Sequence, residues 1–243
     1  MRVVGVVAGF FTALRPARAA FPLAVDDAAV CAPGQAEIVS AWQYNAAAGT
    51  EEQGADGSAT LGLGRGWEAS LAGGYGWLRT ERGPDRRAHD VTLGLKALCF
   101  GTETAACSGT LSATGTRSIG PSPAGRRPWG GLWLAAVTHR QGATSFDVNA
   151  GLELPPRASV AESPPRRMVL GAAVRRDVSA RLMVFAECTR TVEWDRPGRP
   201  GSTQVQAGAQ LAVAPAWSVG VSLGRSAGGP SATTAALGVT MVR

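Results

Sequence analysis

The sequence predicts an all-β fold: a closed antiparallel transmembrane β-barrel of about twelve strands in up-and-down order. Three observations lead there. Apolar and polar residues alternate with period two in segment after segment. Long and short connections alternate between those segments. Aromatic residues gather at segment ends. On a helix the same alternation would scatter apolar side chains around the whole circumference.

The stretch from Trp67 to Arg79 shows the alternation most plainly. One face carries Trp67, Ala69, Leu71, Gly73, Tyr75 and Trp77, and the other carries Glu68, Ser70, Ala72, Gly74 and Gly76. Val91, Leu93, Leu95 and Ala97 alternate with Asp90, Thr92, Gly94 and Lys96. Phe146, Val148, Ala150 and Leu152 alternate with Asp147, Asn149, Gly151 and Glu153, and Val205 to Val213 alternates with Gln204, Gln206, Gly208 and Gln210. Extending these gives strands at 35–45, 55–64, 67–79, 87–99, 107–116, 130–139, 143–154, 166–176, 179–190, 201–213, 216–225 and 232–242. Most are close to the ~9–11 residues that a tilted strand needs to cross a bilayer.

Connections after the odd-numbered strands read as long and rich in Gly, Pro, Arg and Asp, such as Arg117 to Trp129, Pro155 to Pro165 and Thr191 to Pro200. Most of those after the even strands are tight: Arg65-Gly66, Arg140 to Gly142, Asp177-Val178 and Ala214-Pro215. Long outer loops and short periplasmic turns are the habit of outer-membrane barrels, and an even strand count leaves both ends in the periplasm. Trp42, Tyr44, Tyr75, Trp77, Trp129 and Trp133 then fall near the outer ends of strands, and Trp67 and Trp217 near the inner ends. Interfacial aromatics sit there because the ring is apolar while its polar edge reaches water.

Composition agrees. The 243 residues are 45% hydrophobic and only 17% charged, with 32 glycines. A typical globular chain is roughly 25% charged. The net charge of +6 comes almost wholly from arginine, since Lys96 is the sole lysine. The arginines are scattered through the predicted loops rather than packed in one basic run, which argues against a nucleic-acid partner.

At the N-terminus, Arg2, the apolar run from Val3 to Leu14 and the small residues of Ala17-Arg18-Ala19 read as a signal peptide over 1–19. A periplasmic segment at 20–34 and the barrel at 35–243 follow. The segment's position before the first strand would let it tuck into the periplasmic mouth. Cys31, Cys99, Cys107 and Cys188 show no C-x-x-C spacing and no zinc pattern. Export would permit a disulfide between Cys99 and Cys107, and four unpaired thiols are the alternative.

Phe21 to Glu37 reads FPLAVDDAAVCAPGQAE. Its Pro22, Leu23, Asp26, Asp27, Ala28, Pro33, Gly34 and Glu37 resemble the opening of the outer-membrane barrel family named for transport in the phenol-degradation meta pathway. The resemblance covers about 17 residues, and it implies passage of small hydrophobic or aromatic solutes across the bacterial outer membrane. The chain closes Gly238 to Arg243 without the C-terminal aromatic that the family presents to the barrel-insertion machinery.

An unpaired charge on the lipid face costs ~2–4 kcal/mol near the midplane, so the polar faces should point inward. The expected lumen lining is Glu68, Asp90, Lys96, Asp147, Asn149, Glu153, Arg181, Glu187, Gln204, Gln206 and Gln210. These groups either line a narrow passage or fill and close the interior. The loop residues Arg82, Arg86, Arg87, Arg117, Arg126, Arg127, Arg157, Arg166, Arg167, Arg196 and Arg199 suit lipopolysaccharide phosphates, or simply keep the loops soluble. The expected surroundings are therefore outer-membrane lipid and lipopolysaccharide. His89 and His139 are the only histidines, and neither lies in a recognisable serine–histidine motif. Gly62-Leu-Gly64 has no helix behind it to make a phosphate loop. The sequence reading is therefore a non-enzymatic barrel without metal or cofactor.

Overall fold

The computed structural model describes residues 25–243 except 48–49, 81–82, 89–90, 103, 118–128, 155–165, 195–200 and 229–230. Among the described residues all regular structure is strand. The segments are β1 (Ala36–Ala47), β2 (Thr50–Gly64), β3 (Trp67–Thr80), β4 (Gly83–Ala88), β5 (Val91–Phe100), β6 (Cys107–Arg117), β7 (Trp129–Gln141), β8 (Thr144–Leu154), β9 (Arg167–Asp177), β10 (Leu182–Glu193), β11 (Ser202–Ala214), β12 (Trp217–Ala227) and β13 (Ala232–Val242). Both β4 and β5 pair with β3, one beside its far half and one beside its near half, so together they form one wall position. The result is a closed, antiparallel, up-and-down barrel of twelve spans.

Closure joins the first strand to the last. β1 pairs along its length with β13, from Glu37 opposite Val242 to Ala47 opposite Ala232. The backbone groups of Ala36 and Arg243 exchange two hydrogen bonds of 2.8 Å. A closed ladder leaves no edge amides to face hydrocarbon, which is why only helices and closed barrels span membranes.

The period-two reading of the faces holds. Leu93, Leu95, Phe146, Val148, Leu152, Val205, Leu211 and Val221 point outward and are exposed. Glu68, Lys96, Asp147, Asn149, Glu187, Gln206 and Gln210 on the opposite faces are buried. A soluble protein would have to cover so continuous an apolar exterior, whereas a bilayer covers it directly. Trp42 stacks near Tyr44 with ring centroids 6.2 Å apart, and Tyr75 meets Trp77 edge-on at 5.2 Å. These pairs sit on the outward faces of β1 and β3 toward the loop end.

The turns at the other end are short. Arg65 and Gly66 both adopt positive φ (54° and 76°), as a two-residue hairpin turn matching strand twist requires. At the loop end the structure corrects two expectations. The long connections expected after the first and third strands are mostly strand. β1 and β2 run on to Ala47 and Thr50, and β3 and β4 run on to Thr80 and Gly83. Gly- and charge-rich residues there stay in the ladder because each added pair satisfies backbone groups that a loop would leave to water. The expected strand at 179–190 also starts late, since Ser179 to Arg181 form a turn and β10 begins at Leu182.

Val148 lies mid-strand on the outward face and is 59% exposed. Val148→Arg should destabilise the folded barrel by about 2–4 kcal/mol. Urea titration of heat-modifiable gel mobility in lipid vesicles would measure it.

Candidate functional site: the N-terminal segment inside the barrel

Residues 25–35 lie inside the barrel, at the end that carries the short turns and both barrel termini. They form no strand. Their backbone groups therefore need partners from the wall, and the wall supplies them as side chains. The Val25 amide donates to Glu187 Oε2 at 3.1 Å, Ala28 to Thr138 Oγ1 at 2.8 Å, and Cys31 to Glu68 Oε2 at 2.7 Å. Pro33-Gly34 then turns the chain toward β1. The Gly34 amide donates to the Gly62 carbonyl and the Gly62 amide to the Gln35 carbonyl, both at 2.9 Å.

Charge holds the centre of the segment. Lys96 Nζ donates to Asp26 Oδ1 at 2.9 Å and to the Asp27 carbonyl at 2.7 Å. Arg175 donates from Nε and Nη2 to the two oxygens of Asp147, each at 2.8 Å, and from Nη1 to Asp27 Oδ2 at 2.6 Å. Thr138 accepts from Ala28 and donates to Asp147 Oδ1 at 2.7 Å. One guanidinium thus ties the segment to β8 and β9, and one ammonium ties it to β5. Such pairs are strong only where geometry is good and remaining donors are used, as they are here.

Burial shifts the segment's own acids. It pushes the Asp26 carboxyl up to about 6 despite the pull of Lys96, with the neighbouring Asp27 adding to the rise. Burial would raise Asp27 too, but Arg175 and then Lys96 hold it below the usual carboxylate range. The Cys31 thiol is pushed up by burial, and by Glu68 and Glu37 beside it.

Of the expected lumen residues, Glu68, Lys96, Asp147 and Glu187 meet the segment or its ion pairs. Gln206 donates a short hydrogen bond to Glu187 Oε1. Gln210 instead bonds Ser218 at 2.7 Å, and Gln204 bonds Gln206 at 3.4 Å. Glu153 faces inward nearer the loop end and pairs with Arg167 at 3.6 Å. Asn149 is buried on the inward face of β8, and its Oδ1 has no hydrogen-bond partner among the described residues. Arg181 is a correction: it sits in the exposed turn before β10, because the ladder starts one residue after it. Asp90 lies outside the described residues.

Of the motif residues, Asp26, Asp27 and Ala28 form the buried contacts, Pro33-Gly34 forms the turn, and Glu37 is buried on the inward face of β1. Pro22 and Leu23 lie outside the described residues. Arg175 and Thr138 were not named from sequence. The parity of β9 offered a signal for the first, since Val169, Gly171, Ala173 and Arg175 share the inward face.

No three metal-ligating side chains converge among the described residues. His139 faces outward at the turn end of β7, opposite Cys107 in register. His89 lies outside the described residues, as do Arg82, Arg126, Arg127, Arg157, Arg196 and Arg199. Arg86 and Arg87 lie in β4. Arg117 stands over the Trp129 ring at 5.7 Å. All four thiols, including Cys99 and Cys107, are unpaired.

No family model matches the chain, and no curated protein does. Solved structures do. An outer membrane channel from Pseudomonas putida F1 is 14% identical with a TM-score of 0.67, covering 89% of this chain and 98% of its own. The NanC porin is 11% identical with a TM-score of 0.62, covering 84% and 98%. The CymD monoaromatic hydrocarbon channel is 8% identical with a TM-score of 0.51, covering 88% and 89%. At such identities the likeness carries the fold, an outer-membrane type of barrel. That fold with an apolar exterior places the chain in the bacterial outer membrane.

A Cβ on Gly62 would stand 2.0 Å from the Ala32 carbonyl and 2.5 Å from that of Cys31. Overpacking of this kind costs about 1–3 kcal/mol. Gly62→Ala should therefore loosen the segment and leave the barrel folded, and maleimide should label Cys31 about tenfold faster.

Proposed function

We propose that this barrel passes small solutes across the outer membrane, through a bore narrowed at its periplasmic end by the N-terminal segment. One observation carries the reading. The segment is held in the mouth by hydrogen bonds and two cations, while the loop-end half of the bore is lined by polar side chains. Gln43, Asn45, Thr114, Thr116, Thr189 and Gln204 face inward there and are only half-buried. A barrel built solely as a scaffold needs no segment lodged in one end of its bore.

The finer reading is that the solutes are hydrophobic or aromatic. It is supported by the resemblance of the opening motif and by the presence of a monoaromatic hydrocarbon channel among the structural neighbours. Lipid and lipopolysaccharide surround the wall in this reading, the barrel-insertion machinery delivers it, and no catalytic step is assigned. The buried network favours one competitor: a non-conducting barrel whose interior is filled and whose loops do the work.

Purified protein in planar bilayers and in liposomes separates the two. The expected result is conductance above bare membrane, raised several-fold by Gly62→Ala, with benzoate entering liposomes faster than a sugar of similar size. Silence from both proteins would leave the filled, structural barrel as the answer.

A further inference from the structure

Arginines stand on the lipid-facing columns of the wall at its loop end: Arg79 on β3, Arg117 on β6, Arg190 on β10 and Arg225 on β12, all exposed. Side chains alternate along a strand, so these four share the outward face with Trp77, Gly115, Cys188 and Leu223, two residues below each. They are part of the exterior wall rather than of the loops. At the turn end the same columns carry one arginine among the described residues, Arg176 on β9.

Two of the four have a local partner. Arg79 is opposite Glu51 in register, and Arg117 stands over the Trp129 ring. Arg190 and Arg225 meet only hydroxyls among the described residues. Arg190 Nη1 donates to Thr203 Oγ1 at 3.3 Å, and Arg225 Nε donates to Ser231 Oγ at 3.1 Å. A guanidinium has five N–H donors, so each hydroxyl orients the group and leaves most of its donors to the surroundings.

These two cations belong to one patch. Arg190 pairs with Thr203 on β11, and Arg225 pairs with Val205 two residues along the same strand. Two strand spacings of ~4.8 Å and two residue steps of ~3.3 Å put their Cα atoms roughly 12 Å apart, within the joint reach of two long side chains. Below them the small Ala186, Ala207 and Ala209 lie among the larger Val184, Val221 and Leu223, which leaves a shallow furrow on the lipid face. Height places the patch. From Trp217 to Arg225 is eight residues of β12 (225 − 217). At ~3.3 Å each and a tilt of ~35–45° they rise roughly 20 Å, against an apolar band about 25 Å tall. A guanidinium on this column therefore meets lipid headgroups. It is always charged and binds phosphate oxygens in pairs.

We propose that Arg190 and Arg225 bind the phosphorylated headgroup of lipid A, with one acyl chain along the alanine furrow. The cations crowd the end that faces the lipopolysaccharide leaflet, which is where such a ligand lies. The site rests on the placement of the barrel in the outer membrane and not on what the bore passes.

Native mass spectrometry of the purified barrel in detergent, titrated with bisphosphorylated lipid A, tests it. Wild-type protein should bind lipid A at least about tenfold more tightly than phosphatidylglycerol. The double variant Arg190→Gln with Arg225→Gln, checked for folding by heat-modifiable mobility, should bind lipid A at least about tenfold more weakly. Arg176→Gln, which removes the lipid-facing arginine at the turn end, should bind as wild type does. A double variant within about twofold of wild type overturns the proposal. So does an equal loss in Arg176→Gln, which marks plain surface charge, or full displacement of lipid A by millimolar inorganic phosphate, which marks a free-anion site. Wild-type binding of the two lipids within about twofold of each other overturns it as well, whether or not the double variant folds.

Discussion

Hydrocarbon offers backbone groups nothing to bond, and every other feature of this molecule follows from that constraint. It forces the strands to close, with β1 against β13, and closure fixes which side chains see lipid. Since successive residues point to opposite sides, an apolar exterior makes the alternate residues an interior by default. The polar interior is therefore not a separate choice but the other half of the same sequence pattern. What remained to be settled was how that interior satisfies itself once packed.

It does so with a segment that has no secondary structure of its own. A strand inside the bore would need a neighbouring strand to take up its backbone groups. An irregular chain can instead present amides one at a time to wall carboxylates and a hydroxyl, as Val25, Cys31 and Ala28 do to Glu187, Glu68 and Thr138. The wall gives way at Gly62, where the segment's carbonyls come closer than a side chain would allow. Acids that would be expensive alone are thus absorbed as acceptors for the backbone of the stopper.

Most of the barrel was legible in the sequence, because alternation is local: a face can be read from five or six residues. Two loops were misread for an equally local reason. Residues such as Glu51, Glu52, Gly83 and Pro84 have loop composition, yet they lie in the ladder. Pro84 lies in β4, which pairs with β3 alone among the described residues, and proline is confined to such one-sided strands because it lacks an amide to donate. The site was legible only in halves. Parity named Glu68, Lys96, Asp147 and Glu187 as inward, and the opening motif named Asp26 and Asp27. Nothing periodic joins the two sets, because Asp27 and Arg175 meet across 148 residues of chain. The available hint was compositional: two adjacent acids in an otherwise small and apolar stretch have to meet cations somewhere.

The chemistry of the attachment also sets how firmly it can hold. An apolar stopper would gain from every area of contact and lose all of it on leaving, which makes for a permanent seal. Ion pairs behave differently, since each charge that loses its partner regains water, and the desolvation cost of burial offsets much of the attraction. Lys96 and Arg175 therefore specify where the segment sits more than they deepen its well. A segment docked by such groups is held by a small difference between large terms.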